Sequence, residues 1–282
     1  MKGVWRTALA AGVGLIAMDQ ARAGSVNQPG FTLGFPVYAA LPTGLYLAEI
    51  PEVGVRKTYP DTRFSANTPF FFFQSPWYVA GARIAVVASP IYADIKIKDG
   101  PHFSGFYNTY GGVQATWQLG GGWGAGFRLG DFIKQKNEVS NPFNTFDTRF
   151  GVTYLKNGTD FTANFNYGTP TGRGKNLAPD YLNLDVTYSR HHGKFEYGWV
   201  AFGSTDLSKP FDLYEKQRQI ATGPLLGYDF KKFSVQFRGT SDVYQHNYGG
   251  KEQRLWATIT IPLWMPNVSA PAVPDKVPSN PG

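Results

Sequence analysis

Apolar and polar residues alternate along much of this chain, and the alternation is clearest between residues 146 and 192. In residues 146–154 every second position is aromatic, Val or Thr, while the positions between them are charged, Gly or Thr. The same alternation returns in residues 161–167 and 182–188. Because successive side chains of a β-strand point to opposite faces, this stretch predicts three strands, each with an apolar face and a polar, charged face.

The lengths of the connections between such strands predict the fold. About twelve alternating segments lie between residues 43 and 264, and an even number is typical of a single-chain outer-membrane barrel. Short connections at 79–82, 119–122, 156–159, 191–193 and 231–232 alternate with longer ones at 58–68, 93–104, 134–144, 168–179, 204–216 and 246–251. Outer-membrane barrels have short periplasmic turns and longer outer loops, whereas a sandwich gives no reason for such sorting. We therefore predict an all-β fold, a transmembrane antiparallel up-and-down β-barrel.

The first residues have the pattern of an export signal. Lys2 and Arg6 precede an apolar run at 7–18, and Ala21-Arg22-Ala23 is a small-x-small cleavage site. The alternative is a membrane anchor, but the run is shorter than the roughly 20 residues of a membrane helix. We predict a signal peptide at 1–23, export to the periplasm and insertion into the bacterial outer membrane.

Two further segments lack the strand pattern. Residues 24–42 contain Pro29, Pro36 and Pro42, and they are either a periplasmic lead-in or a plug at the barrel mouth. Residues 265–282 are Pro-rich and have no core-forming pattern, so we predict a loose periplasmic tail. The predicted barrel itself occupies residues 43–264.

Composition narrows the possible partners and chemistry. Aromatic residues make up 16% of the chain and there are 33 glycines, which suits strands that face lipid on one side and a wet lumen on the other. The formal charge of +7 is spread out, and without a block of Lys and Arg we predict no nucleic-acid partner. The absence of cysteine excludes thiol chemistry and cysteine metal sites.

Catalytic and cofactor motifs are poorly supported. Of the four histidines, His102 and His246 fall in predicted outer loops, where a hydrolase would need one beside a nucleophile or carboxylate. Residues 191–192 lie in a periplasmic turn, and adjacent extended histidines point opposite ways, which makes a poor metal pair. Residues 168–175 (GTPTGRGK) lack the spacing of a phosphate loop. We predict neither an enzyme nor a cofactor.

The polar face of the strands supplies the better candidates for a site. Charged residues in a ring set the selectivity of a pore. The alternative is that they pair across the interior and stabilise a plugged barrel, since twelve strands enclose a lumen of intermediate width. Both readings remain open. The candidates for lining the lumen are Arg128, Asp147, Arg149, Asp185, Arg238, Asp242 and Trp256.

Several short motifs resemble a known family. They are LPTGLY at 41–46, FGVTYL at 150–155, GTPTG at 168–172, GPLLGYDF at 223–230 and RLWATITIPLW at 254–264. In these segments the chain resembles the outer-membrane proteins of the meta pathway of phenol degradation. The resemblance implies a monomeric-type barrel that passes small, often aromatic, compounds. A departure is the Pro-rich extension after Trp264, which the barrel-assembly machinery must tolerate.

These observations together predict an outer-membrane channel for passive uptake of small organic compounds, aromatic or hydrophobic ones among them. A first alternative is a plugged structural or adhesion barrel without transport, and a second is an outer-membrane hydrolase. The expected partners are outer-membrane lipid, a small organic solute and the barrel-assembly machinery. The sequence leaves the oligomeric state open.

Overall fold

The computed structural model describes residues 25–58 and 60–266, and the predicted signal peptide and residues 267–282 of the predicted tail lie outside this part. Within it no helix is long and apolar enough to cross a membrane. One short 3-10 helix covers Gly172–Asn176. The strands are β1 Gly44–Lys57, β2 Thr62–Val79, β3 Ala82–Ser89, β4 Tyr92–Ile97, β5 His102–Phe106, β6 Thr109–Gly120, β7 Trp123–Ile133, β8 Thr145–Lys156, β9 Thr159–Pro170, β10 Tyr181–His192, β11 Phe195–Asp206, β12 Arg218–Asp229, β13 Ser234–His246 and β14 Lys251–Trp264.

The strands form a closed antiparallel barrel. β1 pairs with β2 on one side and with β14 on the other, so that the sheet has no edge along its main wall. Twelve strands, β1 to β3 and β6 to β14, make the wall, and β4 and β5 form an additional hairpin beside β2. The prediction of an all-β antiparallel barrel is confirmed.

The additional hairpin occupies residues that the sequence pattern predicts as loop. β2 already begins at Thr62, within the predicted loop at 58–68, and β4 and β5 cover most of the predicted loop at 93–104. β3 and β4 keep one register on β2, since Phe71 pairs with Ala88 and Asn67 with Tyr92. They are therefore one strand interrupted around residues 90–91, where Pro90 has no N–H to give to the ladder. In β4, Ile95 and Ile97 do alternate with Asp94 and Lys96, so the loop prediction gave the charges more weight than the alternation.

The two ends of the barrel differ in the length of their connections. The turn end carries short connections such as Asn157-Gly158, where both residues have positive φ (53° and 69°), as a type I′ turn requires. The loop end carries 134–144, 171–180 and 207–217. In outer-membrane barrels the short turns face the periplasm and the long loops face outward.

The two faces of the wall have opposite character. Outward-pointing side chains are large and apolar, and Phe150 (46% exposed) and Leu226 (62% exposed) are examples. Inward-pointing side chains are mostly polar and buried. This is the arrangement of a transmembrane barrel, in which an apolar band faces the lipid. Further exposed apolar residues are Phe127, Leu129, Phe146, Tyr188, Tyr197, Trp199, Phe237 and Leu255.

Candidate functional site: a plugged lumen

The segment before β1 crosses the lumen from one end to the other. The backbone N–H of Asn27 donates to the Tyr181 hydroxyl (3.1 Å) at the loop end of β10. Eleven residues later, the amide of Gln118 donates to the Tyr38 carbonyl (3.2 Å) near the turn end of β6. Residues 25–42 therefore lie inside the barrel, and we call them the plug.

Asp185 binds the plug with both oxygens of its carboxylate. Oδ1 accepts the N–H of Gly30 (2.9 Å), and Oδ2 accepts both the N–H (2.9 Å) and the hydroxyl (2.6 Å) of Thr32. The carboxylate is buried, and a hydrogen bond to a charged group contributes about 1.5–3 kcal/mol. The side chain that the sequence places on the lumen face is thus a clamp on the plug.

Tyr38 is seated in a gap made by glycines of the wall. Its hydroxyl donates to Asn164 Oδ1 (2.7 Å), and its N–H donates to the Thr153 hydroxyl (3.1 Å). A Cβ at Gly126 would overlap the Tyr38 ring, and one at Gly151 would come within 3.0 Å of it. The glycines at inward positions of β7 and β8 therefore create the space that this ring fills.

Hydrogen bonds attach the middle of the plug to many strands of the wall, but not to β1 and β2. The hydrogen bonds of its middle part go to β6, β8, β9, β10, β13 and β14. Among the described residues, hydrogen bonds from β1 and β2 reach the plug only near its ends, through Gln28 to Glu52 (2.6 Å) and Tyr46 to the Pro42 carbonyl (2.9 Å). Free space consequently remains between the plug and the wall of β1 and β2.

That space consists of two cavities that meet at one side chain. The outer cavity, toward the loop end, measures about 220 Å³, and Phe64 and Tyr110 are among its lining residues. The inner cavity, toward the turn end, measures about 480 Å³ and is lined by Phe70 and Phe72 among others. Phe31 of the plug lines both cavities, and its ring lies edge-on to Phe70 at 5.7 Å between centroids. The Phe31–Phe70 contact therefore separates them.

All seven lumen candidates are buried inside the barrel. Four of them bind the wall itself. Arg149 Nε donates to Asp147 Oδ1 (2.6 Å), and Arg128 Nε donates to Gln114 Oε1 (2.9 Å). Asp242 accepts hydrogen bonds from the Gln219 amide (2.8 Å) and from the N–H of Glu252 (2.9 Å).

The remaining candidates, apart from Asp185, lie near β13 and β14. Arg238 donates to the Thr258 hydroxyl (2.8 Å), and its guanidinium lies 5.7 Å from the Trp256 ring and 5.6 Å from the Phe35 ring of the plug. Most of these charges thus bind the wall or the plug. They do not form an open ring around a pore.

A second charge network at the loop end is absent from the sequence-based candidates. Glu252 accepts from Arg254 and from Arg56, the latter at 2.8 Å, and Arg254 also donates to the plug carbonyl of Pro29 (2.9 Å). Glu252 and Arg254 lie on the same face of β14 as Trp256, so the alternation of this strand could have placed both of them in the lumen. In β1 the alternation is ambiguous around Pro51, so the sequence does not show that Glu52 and Arg56 point into the lumen.

Tyr248 caps this network from the loop between β13 and β14. Its hydroxyl accepts hydrogen bonds from Arg56 Nη2 (3.1 Å) and Arg254 Nη2 (3.3 Å). Burial and the neighbouring Glu252 carboxylate raise the pKa of Tyr248, so the hydroxyl stays protonated at neutral pH. The network therefore holds paired charges and one protonated hydroxyl in fixed positions at the loop end.

All four histidines are exposed in the described part of the chain. His102 Nε2 lies 2.6 Å from Asp94 Oδ2, but both side chains are exposed, and no hydrogen bond there joins His102 to Ser104. His246 is exposed at the end of β13. Residues 25–58 and 60–266 contain no group of three or more side chains suited to hold a metal ion.

Comparison with known proteins gives a family and a fold. The sequence profile described as “Putative MetA-pathway of phenol degradation” matches residues 49–259, whereas no curated protein sequence matches significantly. An outer membrane channel from Pseudomonas putida F1 aligns with a TM-score of 0.64 and 9% identity, over 80% of this chain and 97% of that one. The Pseudomonas putida toluene transporter TodX (TM-score 0.44, 9% identity, 78% and 89% covered) and the monoaromatic hydrocarbon channel CymD (0.46, 9%, 84% and 96%) align more weakly. The first alignment shows a shared barrel fold.

Proposed function

The chain belongs to the family described as “Putative MetA-pathway of phenol degradation”, and we propose that it is an outer-membrane channel for passive uptake of small apolar, chiefly aromatic, compounds. A solute would enter the outer cavity, pass Phe31, and leave through the inner cavity toward the periplasm. The solved relative that shares the fold is described as an outer membrane channel, which supports transport.

The observation that carries the proposal is the pair of cavities beside the plug. Both lie against the β1–β2 wall, both have aromatic side chains in their lining, and they share Phe31. Ligand sites for small molecules are typically apolar with a few polar groups. If the Phe31 ring moves aside, the two cavities join into a route for one solute at a time. When the ring is in place, it prevents a continuous column of water.

The paired charges of the outer cavity favour an uncharged solute over an ion. Arg149 binds Asp147, and Arg254 binds Glu252, so that neither guanidinium is available as a free counter-ion. A pore that selects ions uses a ring of charged groups facing the permeating ion. We therefore expect low ionic conductance together with uptake of apolar compounds, and the concentration gradient would drive the flow.

Uptake by cells that depend on this channel tests the proposal. Apolar aromatics cross a plain phospholipid bilayer, so initial uptake of radiolabelled toluene should be measured in cells whose lipopolysaccharide layer is the barrier. We expect Phe31→Ala to increase uptake severalfold and Phe31→Trp to reduce it. Phe127→Ala, which changes an outward-facing ring, is the matched control and should leave uptake unchanged. Uptake equal to that of cells without the protein would contradict the channel.

The same experiment addresses the plugged structural barrel. The clamp of Asp185 on Gly30 and Thr32 favours that alternative, because a firmly bound plug could close the lumen permanently. In that case Phe31→Ala and Phe31→Trp would leave toluene uptake at the background level, while all variants would still reach the outer membrane in equal amounts.

A further inference from the structure

We propose that the outward face of the barrel, at its loop end, is a binding site for lipid A, the phosphorylated glycolipid of the outer leaflet of the outer membrane. The inference concerns the lipid partner of the barrel and does not depend on transport. It is carried by a row of basic side chains and by an apolar groove beside them. The residues of this basic row are Lys57, Arg63, Lys96 and Lys251.

The basic row consists of two like-charged pairs on neighbouring strands. Lys57 of β1 pairs with Lys251 of β14, and Arg63 of β2 pairs with Lys96 of β4. Because β1 and β2 are themselves paired, the four residues lie on four adjacent strands. All four are exposed. Like charges directly opposite each other in a sheet are destabilising, so an anion placed against them would stabilise this part of the wall.

The carboxylates beside the basic row do not neutralise its second pair. Asp61 binds Lys57 (3.2 Å), and Asp94 Oδ2 lies 2.6 Å from His102 Nε2. Within residues 25–58 and 60–266, neither Arg63 nor Lys96 has an ion-pair partner. A phosphate group would supply the missing negative charge, and a guanidinium can donate two parallel hydrogen bonds to it.

Aromatic side chains place the basic row at the level of the lipid head groups. Tyr92 and Phe106 are cross-strand partners on the outward face, and their rings meet edge-on at 5.6 Å between centroids. Aromatic girdles mark the membrane interfaces of such barrels. Lys96 follows Tyr92 by four residues on the same face, which is about 10 Å farther out along the membrane normal for a strand tilted by about 40°. Since the loop end faces outward, this is the level of the outer-leaflet phosphates.

An apolar groove continues from the basic row toward the middle of the membrane. It measures about 550 Å³, and Arg63, Lys96, Val53 and Leu255 are among its lining residues. Val53 pairs with Ser65, which lies two residues from Arg63 on the side away from the loop end. The side chains of Val53 and Leu255 are more than half exposed. An acyl chain could therefore lie in the groove while a phosphate of the same lipid contacts Arg63 and Lys96.

Native mass spectrometry of the purified full-length protein in detergent tests the site. The probes are bisphosphorylated lipid A and the same lipid without its phosphates, and titration gives the Kd of each. We expect the phosphorylated form to bind about tenfold more tightly or better, because each basic residue near an anionic lipid contributes about fivefold. Inorganic phosphate in large molar excess should not displace lipid A, because it lacks the acyl chains.

Charge variants test the basic row. Arg63→Gln with Lys96→Gln should raise the Kd of bisphosphorylated lipid A about tenfold or more, because both charges are lost. Arg63→Lys with Lys96→Arg keeps both charges and should bind like the wild type. The matched control is Arg218→Gln with Lys209→Gln, which removes two exposed charges at the loop end that do not line the groove. The control should leave the Kd unchanged.

A bulky side chain in the groove tests the acyl contact. Val53→Trp fills the groove and keeps every charge, so the Kd of bisphosphorylated lipid A should rise about threefold to tenfold, as expected when one or two methylene groups lose their contact. Val113→Trp is the control, because Val113 of β6 is similarly exposed on the outward face but does not line the groove. Heat-modifiable gel mobility would verify that each variant is folded.

Several results would overturn the site. They are a wild-type Kd in Arg63→Gln with Lys96→Gln, an equal rise in Arg218→Gln with Lys209→Gln, and equal binding of the two forms of lipid A. Displacement by inorganic phosphate would show that the basic row binds free anions, and an unchanged Kd in Val53→Trp would reject the acyl contact. The variants change only outward-facing or loop side chains, so a failure of this site leaves the proposed channel untouched.

Discussion

At the scale of single residues, a few specific side-chain contacts hold the plug in one position along the lumen. Tyr38 fills the space left by Gly126 and Gly151, and Asp185 accepts hydrogen bonds from two backbone N–H groups of the plug. These contacts differ in kind, because the first depends on the absence of a Cβ and the second on a carboxylate. Substitutions can therefore test them separately.

Gly126→Ala should displace Tyr38, because the added methyl would occupy the position of the Tyr38 ring. Overpacking of this kind costs about 1–3 kcal/mol. We expect faster cleavage of the plug by protease and a lower temperature for the heat-modified shift on gels. Gly111→Ala is the control, since a Cβ there meets nothing within 4 Å, and it should behave like the wild type. If the two variants showed the same cleavage rate and the same shift temperature, the gap at Gly126 would not be what holds Tyr38.

Asp185→Asn should loosen the plug, because an amide replaces one acceptor oxygen with an N–H that opposes the donors of Gly30 and Thr32. The loss of one charge-assisted hydrogen bond, about 1.5–3 kcal/mol, corresponds to roughly a tenfold or larger rise in the open population. Planar-bilayer recordings should show large openings that much more often. Asp212→Asn, in an exposed loop, is the control. Openings at the wild-type frequency would show that the clamp does not hold the plug.

How far these residues could be predicted depends on whether a strand pattern surrounds them. Asp185 and Arg149 lie in regular strands, so parity alone places them on the lumen face. Tyr38 and Phe31 lie in a proline-rich segment without alternation, and nothing in the sequence indicates that they meet the wall. Their roles arise from contacts between residues more than a hundred positions apart, such as Tyr38 with Asn164.

At the scale of elements, the β4–β5 hairpin is the part of the sheet with the fewest hydrogen-bonded neighbouring strands. β5 pairs only with β4 among the described strands, whereas β9 pairs along its length with both β8 and β10. The breaks at residues 90–91 and 107–108 separate the hairpin from β3 and β6. The sequence-based prediction assigns a loop here because of charges such as Asp94 and Lys96, although Ile95 and Ile97 keep the alternation of a strand.

Hydrogen exchange should reveal this difference in support. Amides exchange through local opening, and segments with few neighbours open at low free energy. We expect the amides of β5, residues 102–106, to exchange at least about tenfold faster than those of β9, residues 159–170, at equal pH and temperature. Mass spectrometry of peptic peptides from the detergent-purified protein would measure it. Protection of β5 equal to that of β9 would indicate a further strand or partner along its edge.

At the scale of the whole molecule, local and distant contacts differ in how well a sequence reveals them. The hairpins follow from neighbouring segments, and the closure of the barrel follows once an even set of strands is recognised. The position of the plug depends on contacts such as Asn27 with Tyr181, 154 residues apart, which no local pattern encodes. The plug nevertheless determines where the free space lies, and hence which solutes the barrel would carry.

If solutes pass beside a seated plug, fixing the plug to the wall should leave uptake unchanged. The chain has no cysteine, so a disulfide can be introduced without interference. Thr32→Cys with Asn164→Cys joins plug to wall, where the Asn164 amide donates to the Thr32 hydroxyl at 3.1 Å. Phe150→Cys with Phe165→Cys, paired residues with outward-pointing side chains, joins β8 to β9 without touching the plug and serves as the control.

Oxidation of the first pair should keep toluene uptake within about twofold of the reduced protein, because Asn164 lines neither cavity and, on the proposed route, Phe31 alone must move. Oxidation of the control pair should likewise have no effect. A loss of uptake that is confined to the plug-to-wall disulfide, and that returns on reduction, would show instead that the plug must leave the lumen. The Phe31–Phe70 contact would then be a feature of the closed state and not a point on the solute route.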